Sequence, residues 1–342
     1  MSTTPSIFKR PRVPYTVLGG ARVDRIRKEQ GALSLLVLNR GSRFDREQSL
    51  ALLTEARSGD ILWVEGPRIS YEIEPLSRRY PDVRFLLLQE EASPGEWVNL
   101  GIEETRSRHV LVLWSDMRLH PETLRLLQAQ LVEASERGSR VPPGTGGGPR
   151  SSPQERPALC LVPQLRGPGG EVLPTIQVPA LVRGRLSVLP FSPVRAGMSS
   201  LLPYDYCGVF DRGRFHACGG FDTWMRNPYW QKLDFGLRCG LWGERIRLHD
   251  GLEMRYLEEP AAEDTSPDSS YKLFYLKNVA VRFNGELGVL PWSRWLTYAL
   301  RSGSGLVDSL REFREIQDWV HEQRYRFQRD LAGLVNRWEL PA

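Results

Sequence analysis

Several short stretches of this chain set charged or polar side chains where chemistry could use them. Asp116 stands just past the apolar run Val110–Trp114, a pattern that predicts a strand buried on both faces. A carboxylate there can hold a divalent metal or a phosphate-bound metal. It can equally cap the helix that the residues after Pro121 predict. Asn39 and Arg40 close a second apolar run, Leu33–Leu38, and Glu65 closes a third, Ile61–Val64. Further on, Gly219 and Gly220 precede Phe221 and Asp222, which suggests a backbone turn packed close to something. Asp234 and Arg238 are spaced i, i+4 in a helical pattern over 229–242. That spacing suits an ion pair on an exposed face, or an Asp234 that looks into a cleft.

The elements that must position these groups read as an α/β chain. Strands are expected over 33–38, 61–64, 83–88 and 110–114. Helical spacing falls over 45–56, over 94–106 behind the Ser93-Pro94 opening, and over 121–135. This order predicts a mostly parallel sheet wrapped by helices, whose strand ends could bring Asn39, Arg40, Glu65, Ser115 and Asp116 together. Residues 1–31 read as a polar, basic leader with a strand near Tyr15–Leu18. Residues 138–157, rich in Gly, Pro and Ser, read as a flexible loop. Their run Gly144–Gly148 lacks the lysine ending and the flanking strand of a phosphate loop. Short extended segments are expected over 158–193, a strand over 245–256, and a helical C-terminal extension over 271–342. The main domain is then 32–270.

With 342 residues, 41% hydrophobic, the chain can bury a large core. The formal net charge of +5 comes without a basic run long enough for a nucleic-acid groove. Phe8–Tyr15, FKRPRVPY, could touch an anionic surface, so peripheral membrane contact is open, but no run is long enough to span a bilayer. The four cysteines form no CxxC pair and suit buried thiols in a cytoplasmic protein. His120, in the strand-to-helix turn, suits a surface role, and His249 beside Asp250 suits a solvent-facing strand end rather than a metal ligand.

The order of these pieces resembles the inverting, family 2-type nucleotide-sugar glycosyltransferases of the GT-A fold. The resemblance spans roughly residues 33–256. It is carried by Asn99-Leu100-Gly101-Ile102, by Trp114-Ser115-Asp116 in the place of an Asp-x-Asp motif, and by Arg118-Leu119-His120-Pro121. The segments FDRGRFHACGGFD and QKLDFGLRCGLWG continue it. The resemblance implies that Asp116 coordinates Mn²⁺ or Mg²⁺, and that Asn39, Arg40 and Glu65 hold base and ribose. It implies that Asn99 and Ser115 belong to the donor site, and that Gly219, Gly220 and Asp222 face sugar and acceptor. Trp114 replaces the first Asp of the metal motif, and Gln231-Lys232 replaces the Glu-Asp pair that usually supplies the base. Asp234 is the nearest remaining carboxylate for that role, with Asp222 second.

Two readings follow from the resemblance. One is a metal-assisted transfer of sugar from a nucleotide-diphosphate donor to a glycan, lipid-linked or protein acceptor. The other is a catalytically inactive relative that binds or scaffolds, which Trp114 and Lys232 favour. A nucleotidyltransferase would want a glycine-rich, lysine-bearing loop after the first strand, and Asn39-Arg40-Gly41-Ser42 matches that poorly.

Overall fold

The structure, a computed structural model, describes residues 13–20, 33–40, 43–55, 60–68, 73–139, 157–302 and 306–339. Nearly all of the loop expected over 138–157 lies outside the described residues, as does most of the 1–31 segment.

The core is a nine-stranded mixed sheet. Its parallel part uses the apolar runs of the sequence: β2 (Leu33–Leu38), β3 (Ile61–Glu65), β4 (Val83–Leu88) and β5 (His109–Trp114). Every residue of β2 and β3 is buried, as strands covered by helices on both faces require. The strand near residue 15, β1 (Tyr15–Gly19), pairs antiparallel with β4 and forms one edge of the sheet. That part of the expected leader is therefore built into the core layer.

On the other flank β5 pairs antiparallel with β10 (Gly208–Asp211), then come β7 (Cys160–Arg166), β11 (Ile246–Tyr256) and the short β6 (Met117–Leu119). A separate hairpin, β8 (Ile176–Val182) and β9 (Arg185–Phe191), stands off the sheet.

The layers are α1 (Arg43–Glu55), α2 (Ile73–Arg79), α3 (Pro94–Glu104), α4 (Pro121–Ser139), α5 (Arg212–Ala217) and α6 (Pro228–Leu241). Helix α3 opens as the sequence predicts. Ser93 accepts from the Glu96 N–H while Glu96 reaches back to the Ser93 N–H, a closed capping box with Pro94 in the first turn. Gly101 on this helix lets it lie directly on β2, since a Cβ there would sit 2.3 Å from a Leu36 methyl.

After β11 the chain is mostly helical: α7 (Ser269–Phe274), a π turn (Tyr275–Val279), a two-residue-strand hairpin of β12 (Arg282–Phe283) and β13 (Gly288–Val289), then α8 (Ser293–Ser302), α9 (Leu306–Gln323) and α10 (Leu331–Asn336). Phe313, Ile316 and Val320 bury one stripe of α9. Among the described residues no helix is long and apolar enough to cross a membrane.

Candidate functional site

Parallel register gathers the polar strand ends. Leu38 is level with Val64 on one side and Trp114 on the other, so Asn39, Glu65 and Ser115 emerge side by side. They bond to one another. Asn39 donates from Nδ2 to Glu65 Oε2 at 2.7 Å, and Ser115 Oγ donates to Asn39 Oδ1 at 2.9 Å. Trp63 Nε1 donates to the other Glu65 oxygen at 2.7 Å, and the Arg40 N–H donates to Ser115 Oγ at 3.1 Å. Glu65 and Ser115 are buried in this network. They act as a frame for what stands above them.

What stands above is Arg40. Its Nε donates to Asp116 Oδ2 at 2.8 Å, and its two terminal nitrogens form a fork to Asp205 at 3.1 and 2.7 Å. The guanidinium lies 4.2 Å over the Trp114 ring, and the Trp114 Nε1 donates to the Asp205 carbonyl at 2.8 Å. Tyr256, at the end of β11, donates its hydroxyl to Asp205 Oδ2 at 2.8 Å. Burial by itself would lower the Arg40 pKa, but Asp205 and then Asp116 outweigh it and raise it above the ordinary value. The Arg40, Asp116 and Asp205 side chains remain 31%, 19% and 16% exposed, so the cluster still meets solvent.

Asp205 has no counterpart in the sequence reading. It arrives because β10 runs antiparallel to β5, which brings the segment ahead of Gly208 to the same sheet edge. Asp205 and Tyr206 both adopt left-handed backbone, at φ 50° and 63°. Two such non-glycine residues in succession store strain of order 1–3 kcal/mol each, a cost that tends to collect at functional sites.

The second group surrounds α6. Gly219 and Gly220 both take positive φ, and a Cβ on Gly220 would lie 2.5 Å from Asn99 Oδ1. Asn99 clamps the backbone of Phe221, donating to its carbonyl at 2.8 Å and accepting from its N–H at 2.9 Å. Arg238 holds the same turn through the Gly220 carbonyl at 2.7 Å and through the Cys218 carbonyl. Asn99, Gly219 and Gly220 thus set the backbone course into Asp222. Gln231, fully buried, joins this turn to α3 by accepting from the Gly95 N–H at 3.0 Å and donating to the Asp222 carbonyl at 2.8 Å.

Asp234 lies neither on an exposed face nor in a cleft. It is completely buried, bonded to Arg238 at 3.0 Å and to Asn278 Nδ2 at 2.7 Å, with Lys277 Nζ 3.8 Å away. Burial opposes its ionisation, yet Lys277, Arg238 and Asn278 outweigh burial and hold its carboxyl below the usual range. A carboxylate so enclosed orders the helix, and its oxygens are occupied by Arg238 and Asn278 rather than turned to solvent. Asp222 accepts from Lys277 Nζ at 2.5 Å and from the Trp224 N–H at 2.9 Å, with its side chain 8% exposed.

Lys232, where the sequence resemblance would place the base, is itself buried and ion-paired with Glu263 from the turn-rich segment before α7. Its ammonium lies 5.1 Å from the Tyr206 ring centroid. Glu263 keeps 25% of its side chain exposed. Tyr204 feels both clusters: burial, then Glu263 and Asp205, push its phenol up to about 12. His120 Nδ1 accepts from the Glu122 N–H at 3.3 Å at the start of α4, an end-capping contact consistent with its surface role.

Whether the residues suit a divalent ion can be judged from the donor set. Asp116 Oδ2 is taken by Arg40, whereas Asp116 Oδ1 is buried with no hydrogen-bond partner among the described residues. No group of three or more ligating side chains occurs among the described residues. One carboxylate oxygen supplemented by substrate phosphates is a mode in which Mg²⁺ binds, and Asp116 Oδ1 has the donor chemistry for it.

No family model matches the chain, and no curated protein sequence does. Solved structures match its fold. The crystal structure of GalNAc-T7 with UDP, GalNAc and Mn²⁺ superposes on 91% of the chain with a TM-score of 0.56 at 11% identity. The chain spans 57% of that protein's length. The architecture is GT-A-like. The S. aureus TarS structure, and its 1–349 portion with UDP-GlcNAc, match 83% of the chain at 12% identity, with TM-scores of 0.47 and 0.45, over 43% and 71% of their lengths. At such identities the likeness concerns the fold alone.

Proposed function

We propose that this protein transfers a sugar from a nucleotide-diphosphate sugar to an acceptor hydroxyl, with inversion at the sugar carbon. The observation that carries this reading is the Arg40 guanidinium held between Asp116 and Asp205 at the converging strand ends of a GT-A-like sheet. Open α/β sheets bind ligands at such ends. A partly exposed guanidinium is a strong donor for a diphosphate, and it stays charged at any working pH.

In this account Arg40 binds the leaving diphosphate, and Asn39, Glu65 and Ser115 hold Arg40 in register. Asp116 Oδ1 would hold Mg²⁺ or Mn²⁺, which when bound neutralises charge on the leaving group. Glu263, held by Lys232, takes the acceptor proton. The acceptor oxygen then forms its bond to the sugar carbon as the bond from that carbon to the diphosphate oxygen breaks. The bonding pair leaves with the diphosphate. The lysine at the base position therefore supports a carboxylate brought from a different segment. Asp222, anchored by Lys277, borders the same turn and positions the acceptor side.

A direct test is release of nucleoside diphosphate from a panel of UDP-, GDP-, CDP- and dTDP-sugars with Mn²⁺, for wild type and Asp116→Ala. Release from one donor class, lost in the variant, is the expected result. Tight nucleotide binding with no release from any donor, with water or with glycan acceptors, would favour a binding or scaffold role, for which Trp114 under Arg40 is the specific structural support.

A further inference from the structure

A second cavity, of about 710 Å³, lies away from the Arg40 cluster, between the β8–β9 hairpin, the first turns of α6, helix α7 with its π turn, and α10. Its volume falls within the roughly 300–1,000 Å³ typical of small-molecule sites. One wall is continuous aromatic surface. Trp230 contacts Tyr229, Tyr271 and Phe274 at centroid distances of 4.9, 4.8 and 5.5 Å, and Tyr275 extends the wall from Tyr271 at 6.4 Å. Leu186 and Val188 of β9 face it from the hairpin side.

The cavity lining mixes aromatic and aliphatic side chains with arginines: Arg185, Arg282 and Arg294 all line it. Arg282 is within 4.0 Å of Asp330, whereas Arg185 and Arg294 have no carboxylate partner among the described residues. Unpaired cations beside an aromatic wall suit an anion that also has an apolar body.

The elements bordering the cavity also expose apolar side chains. The hairpin turns through Arg183 and Gly184, both at positive φ, in the tight two-residue connection that right-twisted strands favour. Its tip leaves Val182 54% exposed beside lining residue Leu181, and α8 leaves Leu296 59% exposed two residues after Arg294. Arginines beside an aromatic wall are what a phosphate-bearing amphiphile would meet on entering.

We propose that this cavity binds a single-chain amphipathic anion, with an aliphatic tail along the Trp230–Tyr271–Phe274 wall and a phosphate on Arg185 and Arg294. Nothing in this inference depends on the donor reading, because the cavity and the Arg40 cluster share no lining residue.

The test uses the full chain and n-alkyl phosphates below their micelle-forming concentrations, followed by calorimetry. Each added methylene should tighten binding about fourfold, so decyl phosphate, four methylenes longer, should bind roughly 250-fold more tightly than hexyl phosphate. Inorganic phosphate and decanol should each bind far more weakly than decyl phosphate. Arg185→Gln/Arg294→Gln should weaken decyl phosphate about tenfold or more while leaving nucleotide binding unchanged. Val188→Trp, which fills the cavity, should abolish it. No binding of decyl phosphate, no dependence on chain length, or equal affinity in the double variant would each overturn the proposal. Asp116→Ala should leave the site intact, so failure here and failure at the donor site are separable. Sedimentation with phosphatidylcholine vesicles that carry lysophosphatidate, lost in Val182→Asp, would place the ligand in a bilayer. Decyl phosphate binding without sedimentation would place it in solution, and both results uphold the shared chemistry.

Discussion

Replacing Arg40 by glutamine removes the cation on which the account of the donor site depends. The wild-type side chain makes one bond to Asp116, a fork to Asp205, and a stack on Trp114 at 4.2 Å. Breaking a fully buried ion pair costs about 3–5 kcal/mol, whereas an exposed pair is worth about 0–1 kcal/mol. With the three side chains 31%, 19% and 16% exposed, the cost to folding should fall between, at about 2 kcal/mol. That lowers Tm by several degrees without unfolding the chain. Nucleotide affinity should fall further. A diphosphate entering the variant loses its strongest donor and meets two uncompensated carboxylates, a loss of about 2–3 kcal/mol, or roughly 30- to 150-fold in Kd. Calorimetric titration of UDP or the preferred nucleotide, alongside thermal unfolding, reads both effects. Arg40→Lys, which can reach one carboxylate but cannot fork, should fall between the two proteins. A folded Arg40→Gln protein that binds nucleotide as tightly as wild type would refute the assignment.

Other outcomes follow from the surrounding residues. Glu263→Gln should leave nucleotide Kd within about twofold and reduce sugar transfer by about 10²–10⁴-fold, measured as product formation under single-turnover conditions. Asp234→Asn should destabilise the protein by about 3 kcal/mol at pH 7, because Arg238 and Lys277 lose a buried counter-charge. The Asp234 carboxyl is held below its ordinary value, so its contribution is present above about pH 4 and fades as pH falls through the folded value. The gap between wild type and Asp234→Asn in denaturant titrations should therefore narrow below about pH 4. Gly220→Ala should cost about 2 kcal/mol or more in the same titrations, since it meets both a positive φ and the Asn99 amide oxygen.

Much of the sheet was legible because it is written locally. Leu33–Leu38, Ile61–Val64, Val83–Leu88 and Val110–Trp114 are apolar runs that suit strands covered on both faces, and all four lie in the parallel part of the sheet. Since parallel neighbours share their carboxyl ends, the grouping of Asn39, Arg40, Glu65, Ser115 and Asp116 followed from the same pattern. Their division of labour did not. That Glu65 and Ser115 frame the site while Arg40 faces it depends on hydrogen bonds settled only by three-dimensional register.

Asp205 was hidden because it reaches Arg40 across 165 positions of sequence, from a left-handed loop that no periodicity marks. The one local hint is Tyr204-Asp205-Tyr206, a carboxylate between aromatics just ahead of a glycine-led strand. Glu263 was hidden similarly, one acid among several in a turn-rich stretch, distinguished only by its pairing with Lys232. Asp234 shows the opposite limit. Its i, i+4 partner Arg238 was visible, but Lys277 and Asn278, which enclose it, come from the π turn more than forty residues away.

The Arg40–Asp116–Asp205 cluster is proposed as the seat of a nucleotide-diphosphate donor. Calorimetric titration with UDP, GDP, CDP and dTDP, each with and without Mn²⁺, on wild type and Asp116→Ala tests this most directly. One nucleotide should bind wild type, more tightly with Mn²⁺, and Asp116→Ala should abolish the gain from the metal. A folded wild-type protein that binds none of the four, with or without Mn²⁺, would contradict it.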